Sequence, residues 1–112
     1  MKEAVVSIKI CAESDIELGS AVRVVIDDIP IAVVRDSAGT VHAIGDTCTH
    51  GDISLAEGFV EDDTLECWAH GSKFSLVTGK PLTLPAYEPV PVFAVSIVDG
   101  DVFIDPTPVV AP

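Results

Sequence analysis

Cys48-Thr49-His50-Gly51-Asp52 and Cys67-Trp68-Ala69-His70-Gly71-Ser72-Lys73-Phe74 are the stretches on which the reading of this chain turns. Each carries a cysteine and a histidine close together, as C-x-H and then C-x-x-H, and a glycine follows each histidine. Two thiolates and two imidazoles are good metal donors, so the pairs define a candidate metal centre. A structural zinc ion is one possible occupant. Zinc sites built from two Cys and two His usually place a Cys pair ahead of a His pair, whereas the order here is Cys, His, Cys, His. Reading the four as ordinary loop side chains leaves two free thiols beside two histidines with no packing reason for the match.

A Rieske centre is a [2Fe–2S] cluster in which two Cys hold one iron and two His the other. With one Cys and one His per loop, each loop gives one ligand to each iron, and the loops face each other across the cluster. In this double frame the chain resembles the Rieske family over nearly its whole length. Within that family it resembles the soluble Rieske-type ferredoxins of aromatic-ring-hydroxylating dioxygenase systems. The resemblance implies that Cys48 and Cys67 bind the inner iron of one cluster and His50 and His70 the outer one, with the outer histidine edges at the surface. It implies a one-electron carrier that accepts electrons from a flavoprotein ferredoxin reductase and passes them to a terminal oxygenase. Such a protein makes no bond in substrate and is not itself an enzyme. The small subunit of an assimilatory nitrite reductase and an accessory ferredoxin for iron–sulfur assembly are alternative roles for the same cluster. A catalytic oxygenase subunit needs a mononuclear iron on two His and a carboxylate in a large second domain; with 112 residues and one spare histidine, His42, that role is not expected.

Charge sets the expected potential. Two ferric ions, two sulfides and two thiolates sum to zero, and an electron enters a neutral centre more easily than a dianion. Neutral histidines therefore place the family at roughly −150 to +300 mV. The high-potential respiratory members that this chain resembles at its ligands add a disulfide between the loops, and a Ser and a Tyr that hydrogen-bond the cluster sulfur. Ile53 and Ala69 occupy the two disulfide positions here; Ser72 matches the Ser, though a turn hydroxyl bonded to local backbone reads equally well, and Phe74 replaces the Tyr and has no hydroxyl. Asp46, Asp52 and Glu66 flank the ligands in sequence, with Lys73 the one nearby cation. The missing disulfide, the missing Tyr hydroxyl and the nearby carboxylates favour the low end, on the order of −150 mV. Pro85 and Ala86 match the family's proline loop, while Pro89 and Pro91 suit a stiffened edge segment. Trp68, between two ligands, is expected to stay partly exposed.

Composition bounds the rest. At 112 residues the chain suits one domain; residues 1–105 are expected to form a Rieske domain and 106–112, with three prolines and no charge, a frayed tail. Pro89 to Val98 is the longest uncharged apolar-rich stretch, far too short to span a bilayer. Lys2, Glu3 and Lys9 break up the N-terminal apolar run, so no signal peptide is expected and the protein is expected in the cytoplasm. Three cysteines do not make a disulfide framework, and Cys11 reads as a small half-buried residue at a strand end. The net charge of −12 argues against nucleic acid and anionic membranes as partners and suits a basic patch on a redox partner as well as it suits solubility.

Short β-branched runs between turn residues predict an all-β chain with no helical periodicity. Val5 to Ile10, Ala21 to Ile26, Ile29 to Arg35 and Thr40 to Ile44 lead into the first loop, with turns at Asp27-Asp28 and Asp36 to Gly39. Phe59-Val60 and Thr64 to Cys67 flank an Asp62-Asp63 turn and deliver the second loop. Lys73 to Leu76, a Thr78-Gly79-Lys80 turn and Pro81 to Leu84 follow, and Pro91 to Val98 with Val102 to Ile104 close the domain around Asp99-Gly100. The spacing predicts an antiparallel sandwich or barrel-like body, and the family's fold adds a small cluster-binding subdomain made by the two loops at one end. His42, in an alternating strand, reads as an ordinary surface or half-buried residue with no catalytic partner.

Overall fold

The β-branched runs become strands. In a computed structural model that describes residues 7–47, 53–69, 71–83 and 88–110, Ile8–Ala12 forms β1, Ser20–Ile26 β2, Ile29–Arg35 β3, Val41–Gly45 β4, Phe59–Glu61 β5, Thr64–Glu66 β6, Lys73–Ser75 β7, Val92–Val98 β8 and Asp101–Val110 β9. Helical structure among these residues is limited to 3-10 turns at Glu13–Asp15 and Leu55–Glu57. Six strands make one antiparallel sheet in the order β1-β9-β8-β4-β3-β2, which curls into a nearly closed barrel-like body. The remaining three, β5-β6-β7, make a small separate sheet. No described helix is long and apolar enough to cross a membrane.

The turns work as their residues predict. Asp27 and Asp28 both adopt positive φ, 52° and 66°, the two-residue geometry whose twist matches that of the β2 and β3 strands it joins. Asp99 and Gly100 do the same between β8 and β9, at 52° and 81°, and Asp62 opens the β5–β6 turn at 52°.

Strand β3 explains the layering. Ile31, Ala32, Val33 and Val34 are all buried, an apolar run covered on both faces. Because side chains alternate along a strand, Ile31 and Val33 join the barrel core with Ile16, Phe93, Val102 and Ile104. Ala32 and Val34 join a second core with Leu55, Leu65, Phe74 and Val90. That second core glues the small sheet to the barrel, and Cys67 belongs to it.

Two expectations change. Of the expected Val5 to Ile10 run, Val5 and Val6 lie outside the described residues and Ile8 to Ile10 is strand; β1 continues to Ala12 and pairs with β9, Ile8 opposite Ile104 and Ala12 opposite Asp101, so the first strand closes against the last. The expected tail is a strand as far as Val110, which lies opposite Val92, with Pro108 opposite Phe93; residues 111–112 lie outside the described residues. Pro106 and Pro108 are two apart, so their missing N–H groups fall on one side of β9 and leave the other side able to pair.

Gly79 fastens the turn after β7 to the approach of β8. Its carbonyl accepts the Val90 N–H at 2.9 Å, its φ is +76°, and a Cβ there would collide with the Val90 carbonyl oxygen. Gly79→Ala therefore combines a left-handed backbone penalty with overpacking, a loss of roughly 2–5 kcal/mol. Urea unfolding of this variant should show a clearly lower midpoint at an unchanged slope.

Candidate metal centre

The first loop has a closed neck. β4 ends at Gly45, whose N–H donates to the Pro91 carbonyl at 2.9 Å. No side chain fits there, because a Cβ would lie 2.9 Å from two Pro91 ring carbons. Asp46 follows, 2% exposed. Its N–H donates to the Pro30 carbonyl at 3.0 Å and its carbonyl accepts the Leu55 N–H at 2.6 Å. Its carboxylate accepts the Ala56 N–H at 2.8 Å and the Arg23 Nε–H at 3.1 Å. Thr47 then bridges to Ser54 in antiparallel fashion. Cys48 and His50 belong to residues 48–52, outside the described residues.

The second loop springs from the β5–β6 hairpin. Cys67 follows β6 directly and has no exposed surface. Its N–H donates to the Ser72 carbonyl at 2.7 Å and its carbonyl accepts the Gly71 N–H at 3.0 Å, so the chain reverses within five residues. Gly71 takes the positive φ, +79°, that the reversal requires. Trp68 is 49% exposed, as its place in so tight a turn predicts. Ser72 is buried and Phe74 is completely enclosed. Thr83 Oγ1 accepts the Lys73 N–H at 2.9 Å and donates to the Gly71 carbonyl at 3.2 Å, tying residues 80–83 to the loop's return limb. Lys73 Nζ sits 3.0 Å from Glu61; that hydrogen bond and opposite charge, with Glu66 adding to them, raise the ammonium pKa above its usual value. His70, Pro85 and Ala86 lie outside the described residues.

Of the four candidate ligands the structure therefore describes Cys67 alone, and no group of three metal donors occurs among the described residues. The donor chemistry still fits an iron–sulfur cluster. Cys67 is a buried thiol without a disulfide, held at the top of the core that joins the small sheet to the barrel. Ile53 and Ala69, at the interloop disulfide positions of high-potential relatives, instead pack as partly buried apolar residues against that same core. Cys11 is half-buried near the end of β1; burial, with the charges of Asp15 and Asp101, pushes its thiol pKa up, so it stays protonated and unreactive.

Two pairings were not legible in the sequence. Arg23 reaches Asp46 from β2, so Lys73 is not the only cation near the loops. His42, half-buried, has a partner after all: its Nε2 lies 2.8 Å from Asp36 Oδ2. Asp36 also accepts the Thr40 and Ala38 N–H groups at 2.9 and 3.0 Å. Burial alone would raise the Asp36 pKa, but the His42 ring and those two N–H groups outweigh it and hold the carboxyl below its ordinary value. Its contribution to stability is thus complete above the unfolded carboxylate pKa of about 3.9 and is lost as pH falls through the lower folded value. Asp36→Asn should flatten part of the acid limb of a stability–pH curve below about pH 4, and His42→Ala should leave the visible spectrum intact.

A family profile described as the Rieske [2Fe-2S] domain matches residues 6–94. The chain belongs to the Rieske [2Fe-2S] domain family. Its cofactor is a Rieske-type [2Fe–2S] cluster, and its role is one-electron transfer rather than catalysis. The 3-phenylpropionate/cinnamic acid dioxygenase ferredoxin subunit of Escherichia coli (strain K12) is 43% identical over 96 residues, 85% of this chain and 89% of that protein. Among solved structures, a chain of the complex of reduced oxygenase and oxidised ferredoxin in carbazole 1,9a-dioxygenase superposes with a TM-score of 0.85 at 36% identity, covering 94% of this chain and 97% of that one. The ferredoxin of carbazole 1,9a-dioxygenase from Nocardioides aromaticivorans IC177 gives 0.85 at 25% identity, covering 90% and 98%.

Proposed function

We propose that this chain is the ferredoxin component of a multicomponent aromatic-ring oxygenase of the cytoplasm, taking one electron at a time from a flavoprotein reductase and delivering it to a terminal oxygenase. The observation that carries the reading is 43% identity to a dioxygenase ferredoxin subunit across 85% of the chain. The match at 36% identity to a chain from an oxygenase–ferredoxin complex supports the oxygenase as recipient. In this reading Cys48 and Cys67 hold one iron and His50 and His70 the other. Bound there, the cluster supplies one reversible electron at low potential. The protein's own part is to bury the Cys67 side of the site and to keep the second loop tight, with Trp68 offering apolar surface beside it. A nitrite reductase small subunit superposes with a TM-score of 0.84 at 24% identity, which speaks for the shared fold alone.

Stopped-flow mixing tests the assignment. NADH and a flavoprotein ferredoxin reductase should bleach the chain's visible absorption, and a terminal oxygenase with its aromatic substrate should restore it. Delivery of electrons to a sirohaem nitrite reductase but not to an oxygenase would replace this reading with the alternative.

A further inference from the structure

We infer that Asp46 and Arg23 act together as a positioning clasp at the base of the first ligand loop. The inference rests on the ligand set proposed above, since it concerns the loop that carries Cys48 and His50. Asp46 stands at the point where that loop leaves the barrel and where it returns. One residue bonds the outgoing limb to the barrel through Pro30, the returning limb through Leu55 and Ala56, and strand β2 through Arg23. The Thr47–Ser54 bridge lies immediately beyond. The base of the loop is thus closed and tied to both β2 and β3.

The carboxylate is enclosed, at 2% side-chain exposure, while the Arg23 side chain is 52% exposed. A buried carboxylate costs stability unless it is paired. The partly exposed guanidinium is screened by water and adds little energy of its own; its value here is direction, because a planar N–H donor fixes the carboxylate plane. Asp46→Asn is nearly isosteric and can still accept the Ala56 N–H through its one oxygen, but it then turns its amide NH₂ towards Arg23 and ends the ion pair. Arg23→Gln ends the ion pair from the exposed side and leaves the buried Asp46 carboxylate without its counter-charge, though still with the Ala56 N–H.

These two variants separate positioning from simple charge. Asp46→Asn removes a negative charge and Arg23→Gln a positive one, so a purely electrostatic role shifts the midpoint potential in opposite directions. A clasp makes the two variants behave alike. Each should broaden the electron paramagnetic resonance spectrum of the reduced protein and speed iron release to a ferrous chelator by about tenfold, the low end of what loosening the surroundings of a metal site costs. The double variant should be no worse than the poorer single one, because both break the same link. Arg23→Lys, which keeps the charge but not the planar donor, should fall in between, with an unchanged far-ultraviolet circular dichroism spectrum. Wild-type resonance and release rates in both single variants would overturn the inference, as would opposite potential shifts with an unaltered spectrum. A wild-type protein without a His-ligated signal would instead overturn the ligand reading on which this rests.

Discussion

Replacing His50 or His70 with cysteine should lower the midpoint potential by on the order of 100 mV, or prevent the cluster from assembling. A thiolate in place of a neutral imidazole adds a negative charge at the outer iron and makes it harder to reduce. The size follows from the gap of about 250 mV between the low end of the Rieske range and typical all-Cys plant-type clusters, divided over two substitutions. Protein-film voltammetry at neutral pH measures the shift directly. The His42→Ala variant is the internal control: His42 is committed to Asp36 at 2.8 Å and should leave the potential where it was. Loss of the cluster in the His42 variant, with His50 and His70 both dispensable, would show that the wrong histidines had been chosen.

Phe74→Ala should be the most destabilising single change in the body of the protein. Phe74 is the largest completely enclosed side chain among the described residues. It lies opposite Leu65 across β6 and β7 and bridges to Pro81, so it fills the core on which the second loop stands. Emptying such a site costs about 3–5 kcal/mol, a large part of the roughly 5–15 kcal/mol that holds a domain of this size folded. Chemical unfolding should show a midpoint reduced accordingly. Because Cys67 shares that core, the variant should also be purified with less cluster per chain. Full stability together with a full cluster complement would mean that the small sheet is held by something other than this core.

The parts of the fold that were legible in the sequence are those set by near neighbours. Asp27-Asp28, Asp62-Asp63 and Asp99-Gly100 announce two-residue turns because few residues tolerate positive φ, and the β-branched runs between them can only be strands. Which side chains enter which core depends on where the small sheet packs, and nothing local records that. The β1–β9 pairing, the continuation of β9 past Pro106 and Pro108, and the Arg23–Asp46 link all join residues far apart in the chain. The two 3-10 turns are too short to leave a periodicity. His42 is half-buried as expected, but its bond to Asp36 was not legible because the partner lies across the Asp36–Gly39 turn, six residues away, where an aspartate reads as a turn former. For the site, the double Cys/His frame carried the whole inference; the structure adds the burial of Cys67 and the architecture of both loop bases.

Electron paramagnetic resonance of the dithionite-reduced protein tests the central claim most directly. Two neutral imidazoles on one iron predict a rhombic signal with the low average g of a His-ligated [2Fe–2S] cluster, accounting for one unpaired electron per chain. A signal with the higher average g of an all-Cys cluster, or no signal from a protein that holds zinc, would contradict the account.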